Sequence, residues 1–126
     1  MSGARPIRIA IVDDDASLCQ AMERLMRAAG FQSNTYCSAE AFLEDSNRSR
    51  ADCILLDIQL GGMSGFELQS LLAGSGSITP IIFITAYDDP ETREQARQTP
   101  CSAYLRKNDP GEAVIEAIRK AVTRGE

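Results

Sequence analysis

In Asp52-Cys53-Ile54-Leu55-Leu56-Asp57-Ile58-Gln59-Leu60-Gly61-Gly62-Met63-Ser64-Gly65 a short apolar run ends in a carboxylate and passes into a glycine-rich turn. A run such as Cys53 to Leu56 suits a strand buried on both faces, as in a parallel sheet covered by helices. Asp57 is then delivered to the C-terminal edge of that strand, at the rim of a core. A carboxylate there either caps the following turn or does chemical work, and taken alone the cap is the commoner role. Two other strand ends shift that balance.

Upstream, Ile7 to Val12 is β-branched and mostly apolar, and it runs directly into Asp13-Asp14-Asp15. Leu18, Met22, Leu25, Met26 and Ala29 recur at helical spacing, with Asp15 as N-cap and Gly30 as stop. Phe31 to Tyr36 is a more polar run that suits an edge strand, and Ser38 opens a short helix carrying Ala41, Phe42 and Leu43. Asp45 to Arg50 reads as a polar loop. Downstream, Ser64 and Glu67 have capping-box spacing ahead of a helix that stops at Gly74-Ser75-Gly76-Ser77. Pro80 to Thr85 reads as another buried strand. Asp89-Pro90 supplies N-cap and first helical position for a polar helix to about Gln98. Ser102 to Arg106 is the last strand, and Asp109-Pro110 repeats the capping logic for a final helix with Val114, Ile115, Ile118, Ala121 and Val122 on one face. Five strands alternating with five helices predict right-handed crossovers and an α/β, doubly wound parallel sheet.

The chain has 126 residues, the size of one domain with one core. Thirteen basic and eighteen acidic residues give a net charge of −5, and the basic residues are scattered, which argues against direct nucleic-acid binding. No apolar run approaches the roughly eighteen residues of a membrane span, and Met1 to Pro6 lacks the apolar stretch of a signal peptide, so a cytoplasmic location is expected. Cys19, Cys37, Cys53 and Cys101 lie 18, 16 and 48 residues apart, a spacing of neither zinc nor redox sites, and read as small buried thiols. With no histidine, any catalysis must run on carboxylates, Lys, Thr or Tyr.

In an open parallel sheet ligands gather at the C-terminal strand edge. Asp13 and Asp14 follow the first strand, Asp57 the third, Thr85 the fourth and Lys107 the fifth. A solvated helix N-terminus would account for one of the first acids. Several carboxylates on one edge repel each other unless a cation joins them, and an all-oxygen set suits Mg²⁺ or Mn²⁺ better than zinc. Lys107 and Thr85 add a positive charge and a hydroxyl that can clamp a tetrahedral anion above Asp57. Each is an ordinary rim residue alone; together they point to phosphoryl chemistry.

Over nearly its full length the chain resembles the receiver domain of two-component response regulators. The resemblance rests on Ile-Val-Asp-Asp-Asp at 11–15, Leu-Leu-Asp-Ile-Gln-Leu-Gly-Gly-Met-Ser-Gly at 55–65, Phe-Ile-Thr-Ala at 83–86 and Ala-Tyr-Leu-Arg-Lys at 103–107. It implies a flavodoxin-like, five-stranded sheet of order 2-1-3-4-5 and a single receiver domain over 1–126, structured over about 6–124. It implies that Asp57 accepts a phosphoryl group from a sensor histidine kinase. Asp14, Asp57 and the carbonyl of Gln59 would bind Mg²⁺, with Asp13 reaching it through water. Thr85 and Lys107 would hold the phosphoryl group, and Tyr104 would be the aromatic switch that turns inward with Thr85. Gln59 and Tyr87 would flank the path of the dephosphorylating water.

Such a domain is no conventional enzyme but promotes its own phosphorylation and dephosphorylation. It shifts the face of helix 4, strand 5 and helix 5 toward an output partner or domain, or into a phosphorylation-dependent homodimer. The run from Ser64 to Asp89 is similar to receivers that precede helix-turn-helix outputs, so the sequence suits both a single-domain regulator and a segment of a longer one.

Two positions depart from the family pattern: Gly61 and Asn108 stand where proline is usual. The second bears on how Lys107 is presented, because a cis bond before a non-proline residue costs about 3 kcal/mol. Among other readings, an aspartyl-nucleophile phosphatase needs a second acid two residues beyond Asp57, where Gln59 stands. A flavodoxin-like cofactor carrier needs a first loop that attracts phosphate, and Asp13 to Asp15 repel it. A receiver-like docking module that no longer depends on phosphorylation is the alternative that Asn108 favours.

Overall fold

The computed structural model describes residues 5–124. Strands β1 (Arg8–Val12), β2 (Gln32–Tyr36), β3 (Cys53–Asp57), β4 (Ile81–Thr85) and β5 (Ala103–Arg106) form one parallel sheet in the order β2-β1-β3-β4-β5. Helices α1 (Ala16–Ala28), α2 (Ala39–Glu44), α3 (Gly65–Gly74), α4 (Pro90–Arg97) and α5 (Gly111–Arg124) connect or follow them. The doubly wound α/β class and the expected strand order both hold. The leader reading of Met1 to Pro6 falls mostly outside the described residues. Among those described, no helix is long and apolar enough to cross a membrane.

Every residue of β3 and β4 is buried, so side chains of both parities need apolar cover. Ile9, Ile11, Cys53, Leu55, Ile82 and Ile84 pack with Met22 and Met26 of α1 and Val114 and Ile118 of α5 on one face. Ala10, Val12, Ile54, Leu56, Ile81 and Phe83 pack with Phe42 of α2 and Leu68 and Leu72 of α3 on the other. Polar β2, by contrast, has no buried residue, as an edge strand allows.

Helix ends follow local chemistry. The Asp15 side chain accepts from the Ser17 and Leu18 N–H groups, Ser38 from Ala41, and Asp89 from Thr92. Ser64 and Glu67 form a reciprocal capping box. At Gly30 (φ 86°) and Gly76 (φ 87°) the chain turns left-handed, and the N–H groups of Phe31 and Ser77 donate back to the carbonyls of Met26 and Leu72. Both helices thus close with Schellman motifs.

Three local expectations are corrected. Asp109 does not repeat the Asp89 cap: its carboxylate accepts from the Arg106 N–H at 2.9 Å and pairs with the Arg106 guanidinium at 3.4 Å, closing the β5–α5 turn. The polar loop after α2 contains a 3₁₀ turn at Arg48–Arg50. Of the four thiols Cys19 and Cys53 are buried and Cys101 is half-buried, but Cys37, just past the end of edge strand β2, is exposed.

Candidate functional site

Strand register assembles the site. Val12 lies opposite Leu56, which sets Asp13 beside Asp57; Thr85 lies opposite Arg106, which sets Lys107 just past the end of β4. Asp57 and Thr85 are the last residues of their strands rather than the first of their loops. The backbone just past Asp57 is held by the start of α3: the Gly65 N–H donates to the Ile58 carbonyl at 3.0 Å. A Cβ on Gly65 would overlap the Asp57 carbonyl and lie 2.9 Å from Ile58 Cα, so only glycine permits this approach.

Asp13 and Asp57 are each 2% exposed, whereas Asp14 is exposed. One carboxylate oxygen from each of the three lies within 4.8 Å of the others. Asp13 and Asp57 commit one oxygen each to their own turns: Asp13 Oδ1 accepts from the Asp15 N–H at 2.8 Å and Asp57 Oδ1 from the Gln59 N–H at 3.0 Å. The other oxygens meet Lys107, whose Nζ lies 2.9 Å from Asp13 Oδ2 and 3.2 Å from Asp57 Oδ2. The ammonium hydrogen-bonds Asp57, but Asp13 Oδ2 is buried with charge attraction and no hydrogen bond of good geometry. The short distance makes the ion pair real, and that oxygen keeps a lone pair for another cation.

Burial, then the neighbouring Asp13 charge, push the Asp57 carboxyl up to about 6 against the pull of Lys107. Burial also opposes the Lys107 charge, but the two carboxylates outweigh it and its pKa is raised. A buried acid pair with one ammonium still carries excess negative charge. Three hard oxygen donors so placed fit a divalent cation of the Mg²⁺ type. Among the described residues no peptide bond is cis, and Lys107 reaches both carboxylates with Asn108 behind it.

The remaining expected residues are placed differently. Thr85 is fully buried, and its hydroxyl is engaged by its own loop, accepting from the Tyr87 N–H at 3.0 Å and donating to the Tyr87 carbonyl at 3.3 Å. Tyr104 does not join it: its hydroxyl donates to Asp88 Oδ1 at 3.0 Å. The Tyr87 side chain is 62% exposed. Two residues escaped the sequence reading. Asp88 gathers Tyr104, Arg93 and Arg106, with Arg93 Nε at 3.1 Å and Arg106 at 3.6 Å. Glu40 accepts from the Met63 N–H at 3.0 Å. Glu40 is the first-turn acid of the short helix after β2 and Asp88 stands beside the capping Asp89, and no spacing rule marked either.

Residues 9–119 match the family model for the response regulator receiver domain. The chain is 34% identical over 114 residues to the response regulator protein TodT of Pseudomonas putida, covering 90% of this chain and 50% of that protein. To the transcriptional regulatory protein TdiR of Thauera aromatica it is 30% identical, covering 89% and 49%. The chain thus spans about half the length of these relatives. A solved response regulator receiver protein from Burkholderia phymatum superposes with a TM-score of 0.82 at 38% identity, covering 94% of this chain and 96% of that one. On the family match and these relatives, the chain belongs to the response regulator receiver domains of two-component signalling.

Proposed function

We propose that the chain is a cytoplasmic, phosphorylation-activated switch in which Asp57 takes a phosphoryl group from the phosphohistidine of a sensor histidine kinase. The observation that carries this reading is the contact of Lys107 Nζ with Asp57 Oδ2 at 3.2 Å beside the Asp13 and Asp14 carboxylates. An oxygen of Asp57 attacks phosphorus, an O–P bond forms as the N–P bond of the donor breaks, and the imidazole leaves with its electron pair. Negative charge develops on the equatorial oxygens in such a transfer, so catalysis is mainly positioning and electrostatic stabilisation. Lys107 pivots from Asp13 and Asp57 onto the incoming phosphoryl oxygens. Asp14, Asp57 and the Gln59 carbonyl would hold Mg²⁺, with Asp13 behind a water; such an ion would offset the charge of the acids and the phosphoryl group together.

The switch follows from two hydrogen bonds that must be exchanged. The Thr85 hydroxyl, occupied by Tyr87, has to release its loop to donate to the phosphoryl group. Tyr104, tied to Asp88, has to leave that carboxylate to turn inward. Both changes act on the β4–α4 loop, so the surface they alter is that of α4, β5 and α5. The name of TdiR supports a transcriptional output, reached through an output partner or an output domain.

Mass measurement after incubation with acetyl phosphate and Mg²⁺ tests the reading. Wild type should gain one phosphoryl group, and Asp57→Asn or chelated wild type should gain none. A phosphorylated Asp57→Asn would move the acceptor to another residue, and an unmodified wild type that still binds its output partner would favour the docking-module alternative.

A further inference from the structure

The loop from Ile58 to Ser64 carries the Gln59 carbonyl, and at its centre stand two glycines. Gly62 is left-handed at φ 76°, and Gly61 stands where the resemblance to receiver domains leads one to expect proline. A glycine pair in place of a proline leaves the free loop many more backbone states, so some other interaction has to select one. The two ends are tied locally: the Gln59 N–H to Asp57 Oδ1 at 3.0 Å, and the Ser64 N–H to Glu67 Oε1 at 2.8 Å. Between them, two carboxylates from outside the loop reach in. Asp14 Oδ2 takes the Gly61 N–H at a long 3.4 Å, and Glu40 Oε2, from the first turn of α2, takes the Met63 N–H at 3.0 Å. The same Glu40 oxygen lies 3.0 Å from where a Gly62 Cβ would be, so it is seated over the left-handed peptide itself.

The two ties differ in fate. Asp14 is also one of the three clustered acids, and an oxygen drawn onto a cation is weakened as an acceptor for Gly61. Glu40 lies outside that cluster. We propose that Glu40 is a positioning residue for the metal-binding loop: its bond to Met63 fixes the Gly61-Gly62 turn so that the Gln59 carbonyl is presented to the cation before it arrives. This rests on the reading of the site as a Mg²⁺-dependent phosphoacceptor, and it assigns to an α2 side chain the order that a proline would supply within the loop.

Amide exchange and a MgCl₂ titration followed by amide NMR shifts, on the full chain, test the role in three variants. Glu40→Ala removes the acceptor. Glu40→Gln keeps an acceptor oxygen without the charge. Gly61→Pro in the Glu40→Ala background restricts the loop from within: a Cβ on Gly61 meets nothing within 4 Å, and the ring gives up only the long N–H bond to Asp14. Glu40→Ala should speed exchange at Gly61 to Met63 in metal-free protein and weaken Mg²⁺ binding by about threefold to tenfold, the scale of one exposed charge-assisted hydrogen bond. Glu40→Gln should stay near wild type, and Gly61→Pro should recover most of the lost affinity. Unchanged exchange in Glu40→Ala overturns the role, whatever the titration gives. Equal loss of affinity in the Ala and Gln variants also overturns it, because charge rather than loop order would then be responsible. A wild type that binds no Mg²⁺, with exchange still accelerated in Glu40→Ala, overturns the metal reading and with it the functional claim for Glu40.

Discussion

Tyr104 donates its hydroxyl to Asp88 at 3.0 Å, and Asp88 is at the same time clasped by Arg93, so β5 and α4 are joined through one carboxylate. Burial first, then the hydrogen bond and charge of Asp88, push the Tyr104 phenol up to about 12. A phenol with a pKa above its unfolded value of about 10 contributes stability that is fully present below pH 10 and lost as pH rises through about 12. Asp88→Ala should bring the Tyr104 titration, followed by its ring-carbon NMR shift, back toward the unfolded value without fully reaching it, because burial remains. A titration that does not move would mean that Asp88 exerts no hold on this ring.

Helix α4 should be the least protected of the five helices in hydrogen exchange. Its only buried residue is Ala96, whereas α1 buries Cys19, Met22 and Met26, and an eight-residue helix with so little burial has little to hold it. Phosphorylation or a phosphoryl analogue should change α4 protection more than that of α1. Protection equal to that of α1 in both states would remove α4 as the responsive element.

Gly65→Ala should destabilise the fold by about 1–3 kcal/mol, the usual cost of overpacking a tight site. The new Cβ would press on the Asp57 carbonyl and Ile58 Cα, so the start of α3 must shift away from β3. Urea unfolding should show a lower midpoint with an unchanged slope, while Gly74→Ala, where a Cβ meets nothing within 4 Å, should leave the midpoint level or raise it. Equal effects at the two glycines would contradict the close approach.

The parts of this molecule legible in the sequence are those set by local chemistry or by periodic burial. Cys53 to Leu56 and Ile81 to Ile84 are apolar at every position, which forces both faces under cover, and Ser64 and Glu67 satisfy each other within one turn. Asp13, Asp14, Asp57 and Lys107 could be placed together because strand ends in a parallel sheet share an edge. The pairing of Tyr104 with Asp88, and of Glu40 with Met63, joins residues 16 and 23 positions apart through side-chain rotamers on separate elements. No periodicity encodes such choices. Asp109 shows the same limit locally: its Asp-Pro pair matches Asp89-Pro90, but Arg106 competes for the carboxylate and wins.

Asp14→Ala should weaken Mg²⁺ binding by about tenfold or more, a loss at least as large as that from removing an outer partner of a ligand. Asp14 is the exposed member of the acid cluster, so its removal should disturb packing little and cost little stability. Calorimetric or NMR titration beside thermal unfolding separates the two effects. Undiminished Mg²⁺ binding in both Asp14→Ala and Asp57→Asn would sink the metal assignment.

The phosphoryl group on Asp57 should be lost slowly, and faster in Tyr87→Ala. Hydrolysis needs a water in line with phosphorus and opposite the Asp57 oxygen, and no histidine is present to activate it. Access to that line therefore limits the rate. The Tyr87 backbone is anchored on both its N–H and its carbonyl by the Thr85 hydroxyl, while its ring is 62% exposed and not packed into the core. When Thr85 turns to the phosphoryl group both anchors are released, and the loop can carry the ring over the approach. Truncation should then raise the dephosphorylation rate in Mg²⁺ severalfold, with Gln59 left in place to orient the water. Tyr87→Phe should stay near wild type, because the effect is one of bulk and not of the hydroxyl. An unchanged or slower rate in Tyr87→Ala would show that the ring faces solvent throughout and that the slow step lies elsewhere.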